Sequence, residues 1–214
     1  MKAETKILSV LAHPDPESYC AALHGEFTRA AEAVSIDLYG DNFDPRMELS
    51  ELQRHIPIDE PAREYVKQLS SADHLAVFFP DWWGAEPAIF KGWLDRILRP
   101  GVAYDRNEGR NPGMSSSSDT HGLLDGMGFT VVITSDSDPA RSPETRDIYR
   151  QRYIAGIGEF CGFHSAELRF LGPVRTSRLK QRKLWLQDIR QLGLRLSGKA
   201  EAGETEAGNT VNRD

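Results

Sequence analysis

At 214 residues, with 26 Lys and Arg against 32 Asp and Glu, the chain carries a formal charge of −6 and a pI near 5.6, which argues against a general nucleic-acid binder. No run approaches the roughly 18 apolar residues of a membrane span, and the N-terminus, with Lys2 and Lys6, has no signal-peptide apolar stretch, so a cytoplasmic protein of one domain and a tail is expected. Cys20 and Cys161 lie too far apart in sequence to suggest a disulfide framework and are expected to be reduced.

The first element is a buried strand over 6–12, short, apolar and β-branched. It runs into His13-Pro14-Asp15-Pro16-Glu17-Ser18, where two prolines in three residues forbid a helix. Ser18 is a candidate N-cap for a helix marked by Leu23, Phe27, Ala30, Ala31 and Val34 at three- and four-residue steps. Residues 35–39 alternate as an edge strand. From Gly40 to Asp59 there is little periodicity, which reads as a long surface connection with at most a short helix near 50–55. A helix over about 60–71 leads into a buried strand over 72–79. Pro80 is expected to stop that strand, because it has no N–H for a ladder.

After a loop at 80–86, Pro87 suits a first helical turn. Ile89, Phe90, Trp93, Leu94 and Ile97 then make one broad apolar face over a helix to 98. Trp93, on that face, is expected in the core. Arg106 to Gly122 is rich in Gly, Ser, Asn and Asp, with serines at 115–118, and reads as a flexible or functional loop. A buried strand over 128–134 opens into Ser135-Asp136-Ser137-Asp138. Helical periodicity resumes near Glu144, a last strand spans 164–171, and Trp185, Ile189, Leu192 and Leu196 mark a final helix. Residues 197–214 have no large apolar residue but Val211 and are expected to form a disordered tail to a domain over 1–196.

The stretch from Phe78 to Trp93 resembles the NAD(P)H:quinone oxidoreductase family, the DT-diaphorase-like flavoproteins. Their usual string is close to Phe-Pro-Leu-Trp-Trp-Phe-Gly-Met-Pro-Ala-Ile-Leu-Lys-Gly-Trp. Pro80, Trp82, Trp83, Pro87, Lys91, Gly92 and Trp93 stand at the same spacing, and the chain departs at Asp81, Gly84, Ala85 and Glu86. The likeness extends over about residues 6–195 and is strongest from 72 to 104. Strands alternating with helices imply right-handed crossovers and a parallel sheet. Five strands fit an α/β, flavodoxin-like three-layer sandwich with a five-stranded parallel sheet in the order 2-1-3-4-5. Ligands bind at its switch point, outside the strands' C-terminal ends.

The resemblance implies a flavin-dependent oxidoreductase that passes electrons from NAD(P)H to a quinone or similar acceptor by a ping-pong mechanism. FAD is favoured, with FMN as the alternative, and the protein would be a homodimer. The first loop, with His13, Ser18, Tyr19 and Cys20, ends at a helix N-terminus, which favours a phosphate; otherwise Ser18 only caps the helix and His13 is a loop residue. In the second loop, Pro80, Asp81, Trp82, Trp83 and Gly84 would offer aromatic faces and backbone to a flat ring, unless one Trp ring enters the core. In the third loop, Thr134, Ser135, Asp136 and Ser137 stand where the family has Thr-Thr-Gly-Gly, and an acidic group aimed at the ring would disfavour the anionic reduced flavin.

Tyr104, in Gly101-Val102-Ala103-Tyr104, resembles the segment lining the family's quinone pocket, and is the substrate-binding candidate. The family's catalytic Tyr and His fall on Ser142 and Ile148, so no catalytic residue is assigned. Two alternatives stand beside this reading: a non-catalytic regulatory or ancillary subunit on the same fold, and a flavin reductase dedicated to one biosynthetic intermediate. Gly156-Ile157-Gly158 sits in a helical pattern and cannot be a dinucleotide fingerprint. Cys161 and His164 have metal-like spacing but no second pair, so no metal site is expected.

Overall fold

A computed structural model describes residues 5–54, 59–106 and 120–199. Five parallel strands form one sheet: β1 (Ile7–Leu11), β2 (Val34–Asp37), β3 (His74–Pro80), β6 (Gly128–Thr134) and β7 (Ser165–Leu171), in the order β2-β1-β3-β6-β7. Among the main strands this is 2-1-3-4-5, as expected.

Side-chain alternation divides the core into two layers. Ile7, Leu11, Ala76, Phe78 and Val132 meet α1 (Tyr19–Ala31) and α7 (Leu179–Leu196) through Leu23, Phe27, Ile189 and Leu192. Leu8, Val10, Val77, Phe79, Val131 and Ile133 pack beneath the helices of the opposite face, among them α3 (Glu60–Ser70) and α4 (Ala88–Ile97). Trp93 is fully buried there, stacked on Phe90. The sheet is thus covered on both faces, which accounts for the continuous apolar runs of β1, β3 and β6.

β3 ends at Pro80, as expected, but includes it. Pro80 pairs with Thr134, and the next amide, Asp81 N, donates to Thr134 O at 2.7 Å. The missing donor is harmless because β1 has already ended, its last partner being Phe78. The expected long loop before β6 begins and ends in a small antiparallel pair, β4 (Tyr104–Arg106) with β5 (Thr120–Gly122); residues 107–119, including the serine run, lie outside the described residues. Gly122 fits because a Cβ there would lie 2.2 Å from the Cys161 backbone.

The helical segment after β6 is not uniform. It runs as α5 (Pro143–Tyr149), a π-helical stretch over Arg150–Gly158 that contains the Gly-Ile-Gly triplet, and α6 (Glu159–Cys161). Ser197 to Lys199 close the end of α7: Lys199 N donates to Leu194 O and its ammonium pairs with Glu32. The rest of the expected tail lies outside the described residues.

The aperiodic connection after β2 carries the short helix α2 (Leu49–Arg54) and is pinned from within. Glu51, fully buried, lies 3.1 Å from Arg96 and 3.2 Å from Arg99. Arg96 also pairs with Asp59 and donates to the Asp44 carbonyl at 2.7 Å. Removing one partner strands buried charge. Glu51→Ala should therefore cost about 3–5 kcal/mol in urea unfolding, whereas an exposed pair such as Arg29–Glu26 should contribute under about 1 kcal/mol.

His74, buried beside Thr130 with Nε2 2.9 Å from Oγ1, is held neutral by burial, its pKa down at about 4. An unfolded histidine titrates near about 6.5, so the unfolded chain binds more protons between these values. Stability from His74 is complete above that unfolded value and is lost as pH falls toward 4. Urea midpoints measured between pH 7.5 and 4.5 should fall less steeply for His74→Phe than for the wild type.

Candidate functional site

Three loops leave the C-terminal ends of β1, β3 and β6 and gather at the switch point of the sheet. The middle loop has the most defined shape. Trp83 and Gly84 both have positive φ, 59° and 73°. Trp82 N donates to Ala85 O at 2.9 Å and Ala85 N to Trp82 O at 3.1 Å. Positive φ at both central residues is the signature of a type I′ turn. Glycine suits the second position, while a tryptophan in the left-handed region costs about 1–2 kcal/mol. Trp83 is fully exposed and Trp82 is 41 % exposed, so neither ring has gone into the core.

Both feet of the turn are anchored. On one side Asp81 Oδ1 accepts from Gly84 N at 2.9 Å and from the Tyr149 hydroxyl at 2.7 Å, while Oδ2 accepts from Ser135 Oγ at 2.8 Å. On the other side Glu86, buried, pairs with Arg152. Tyr149 and Arg152 thus hold the loop from the helical segment after β6. Burial first, then the Asp81 bond, holds the Tyr149 phenol above its ordinary range. The family's Tyr and His positions are Ser142 and Ile148 in this chain, and the structure brings Tyr149 to the site. The i, i+3 spacing of Tyr149 and Arg152 is the available signal, but it identifies a helix face without saying what that face holds.

In the first loop, Ser18 caps α1, its Oγ accepting from Ala21 N at 3.1 Å, and Ala22 N bonds the Ser18 carbonyl. That leaves the Tyr19 and Cys20 amides as the orphan donors of the helix N-terminus. The Tyr19 side chain points elsewhere: its hydroxyl donates to Arg182 O at 2.7 Å and its ring lies 6.1 Å from Trp185. The Cys20 thiol is buried, pushed up to about 12 by burial despite a bond with Thr134. His13 Nδ1 lies 3.1 Å from Asp15 N and 3.2 Å from Asp15 O, so the Asp15 backbone holds the ring, as acceptor from the amide or donor to the carbonyl according to its tautomer. The ring meets Trp82 edge-on at 6.2 Å. Burial, partly offset by Asp15, holds its pKa below the usual value.

The third loop is largely occupied by internal bonds. Ser135 N and O bond Leu171 and Val174, Ser137 N donates to Ser135 Oγ at 3.0 Å, and Asp136 pairs with Arg175 at 3.0 Å. Asp136 is therefore turned to a cation, not presented as a bare charge. Tyr104 lies in the β4–β5 pair with its ring 4.9 Å from Phe160. Beside the third loop an open cleft of about 720 Å³ runs along the start of α7, lined by Gly172, Pro173, Arg178, Lys180, Leu184 and Trp185, among others. Among the described residues no cluster could hold a metal ion, and no helix is long and apolar enough to cross a membrane.

A parallel sheet in this order, with free helix amides and an aromatic turn at its switch point, defines the class, and the sequence profile of the flavodoxin-like fold matches residues 5–192. The chain belongs to that family. Among its relatives, an NAD(P)H oxidoreductase of Haemophilus influenzae is 27% identical, over 84% of this chain and 90% of the relative. The human ribosyldihydronicotinamide dehydrogenase [quinone] is 28% identical, over 75% and 78%. The NAD(P)H:quinone oxidoreductase of Methanothermobacter marburgensis shares the fold, with a TM-score of 0.73 at 22% identity over 89% of this chain and 98% of that one.

Ser18→Ala should leave the first loop's amides in place but cost about 1 kcal/mol through the lost cap, read as a lower urea midpoint.

Proposed function

We propose that this protein is a flavin-dependent NAD(P)H oxidoreductase that reduces a quinone or a similar small acceptor. The observation that carries the reading is the Trp82–Ala85 turn, held by Asp81 and Glu86 beside the orphan amides of α1. The relatives' names support the donor and acceptor classes. The donor set fits a flavin: amides of Tyr19 and Cys20 for a phosphate, and Trp82, Trp83 and the Gly84 backbone for a flat ring. When bound, the flavin supplies hydride and electron transfer between nicotinamide and acceptor, which share one pocket in turn and so follow ping-pong kinetics.

The residues' own parts are positional. His13, anchored through Nδ1 by the Asp15 backbone, holds its ring beside Trp82. Trp83, solvent-facing in the free chain, loses water on contact with the ring. FAD is favoured over FMN because the cleft between the third loop and α7 supplies room, the Trp185 ring and two cations for a second nucleotide half. The cleft also lies next to Tyr19, which contacts Trp185 and Arg182. A cytoplasmic homodimer is part of the reading, with exposed Ile148 beside the site covered by a second copy.

The experiment is flavin uptake followed by NAD(P)H bleaching of the visible band. Failure to bind FAD or FMN at micromolar levels would favour the ancillary-subunit alternative. Trp83→Ala should leave urea stability within about 0.5 kcal/mol, as surface substitutions do, yet weaken flavin binding by roughly 1–3 kcal/mol through lost apolar and stacking contact, measured by titration of the apoprotein.

A further inference from the structure

We propose that Asp81 is a positioning residue that sets the reducing strength of the bound cofactor. Its carboxylate fixes the Trp82–Ala85 turn and places an uncancelled negative charge beside the ring slot, holding the flavin's reduction potential low. This inference rests on the flavin reading above and names the residue that tunes it.

Three donors converge on the two Asp81 oxygens: the Gly84 amide, the Ser135 hydroxyl and the Tyr149 phenol. All three are neutral groups. They stabilise the carboxylate by hydrogen bonding without cancelling its charge. The neighbouring carboxylates are treated differently, since Glu86 is matched by Arg152 and Asp136 by Arg175. Among the described residues no ion pair reaches Asp81.

Asp81 is half-buried, so its field is screened less than that of a surface charge. Gly84 N, bonded to it, belongs to the peptide on which a ring at this turn would rest. Adding electrons to that ring raises its negative charge, and a fixed like charge nearby makes the electron-rich state costlier. The related string carries leucine at this position, where this chain has a carboxylate.

The test uses four variants of the full chain and two readouts. Asp81→Asn keeps an oxygen for Gly84 and Tyr149 but removes the charge. Bound flavin should then titrate at a more positive potential, with Gly84 amide exchange in the flavin-free protein unchanged. Tyr149→Phe and Ser135→Ala keep the charge and strip one donor each, so their potentials should move the other way. Asp81→Ala should speed Gly84 amide exchange about tenfold, the worth of one such bond. A merely structural residue would shift all variants in one direction, and that outcome, or an unmoved potential in Asp81→Asn, overturns the proposal while leaving the flavin reading intact. Unchanged Gly84 exchange in Asp81→Ala overturns the positioning role. A wild-type protein that takes up no flavin overturns the reading and this proposal together.

Discussion

One carboxylate joins three stretches of chain that are far apart in sequence. Asp81 lies at the end of β3, Ser135 at the end of β6 and Tyr149 at the end of α5, and all three meet with the Gly84 amide at a single side chain. The strand ends must be in register for this to happen, and they are: Pro80 pairs with Thr134, so the residues that follow each start level with one another. The strained turn depends on the same contact. Two successive residues with positive φ persist only where the surroundings over-determine them, and here the reciprocal Trp82–Ala85 bonds, the Asp81 bond to Gly84 and the Glu86–Arg152 pair together do so. The exposed tryptophans are therefore displayed by a rigid frame and are not loose loop residues.

The layered sheet was legible because its signals are local. Apolar runs in β1, β3 and β6, and three- and four-residue steps in α1, α4 and α7, each report burial within one element. Sheet order followed from the connections, since right-handed crossovers leave few topologies. The strand over Ser165–Leu171 reads more weakly because it is an edge with no fully buried position. β3 ends at Pro80 as the sequence implies, but that Pro80 itself joins the ladder is legible only in the tertiary structure, where β1 ends before the point at which its missing donor would matter.

The candidate site was legible in its loops and not in its bonding. Switch-point geometry singled out the loops at His13, Pro80 and Thr134 correctly as neighbours. It could not tell that Tyr19 turns toward α7, that the Cys20 side chain is buried, or that Asp136 is matched by Arg175. The same limit hid the clamp on the second connection. Glu51 stands more than forty positions from Arg96 and from Arg99, and a charged residue read alone looks like solvent-facing surface. Pairing across such distances leaves no periodic trace, so a segment that reads as an irregular surface connection is in fact held by buried ion pairs.

The two cysteines have a practical consequence. Burial pushes the Cys20 thiol up to about 12 and that of Cys161 up to about 11, so neither holds an appreciable fraction of thiolate, the reactive form, at neutral pH. They are also the chain's complete complement of sulfhydryls. The native sequence is thus a quiet background for maleimide chemistry. A single cysteine engineered at an open surface position would take a fluorophore or spin probe selectively, without first stripping the protein of its own.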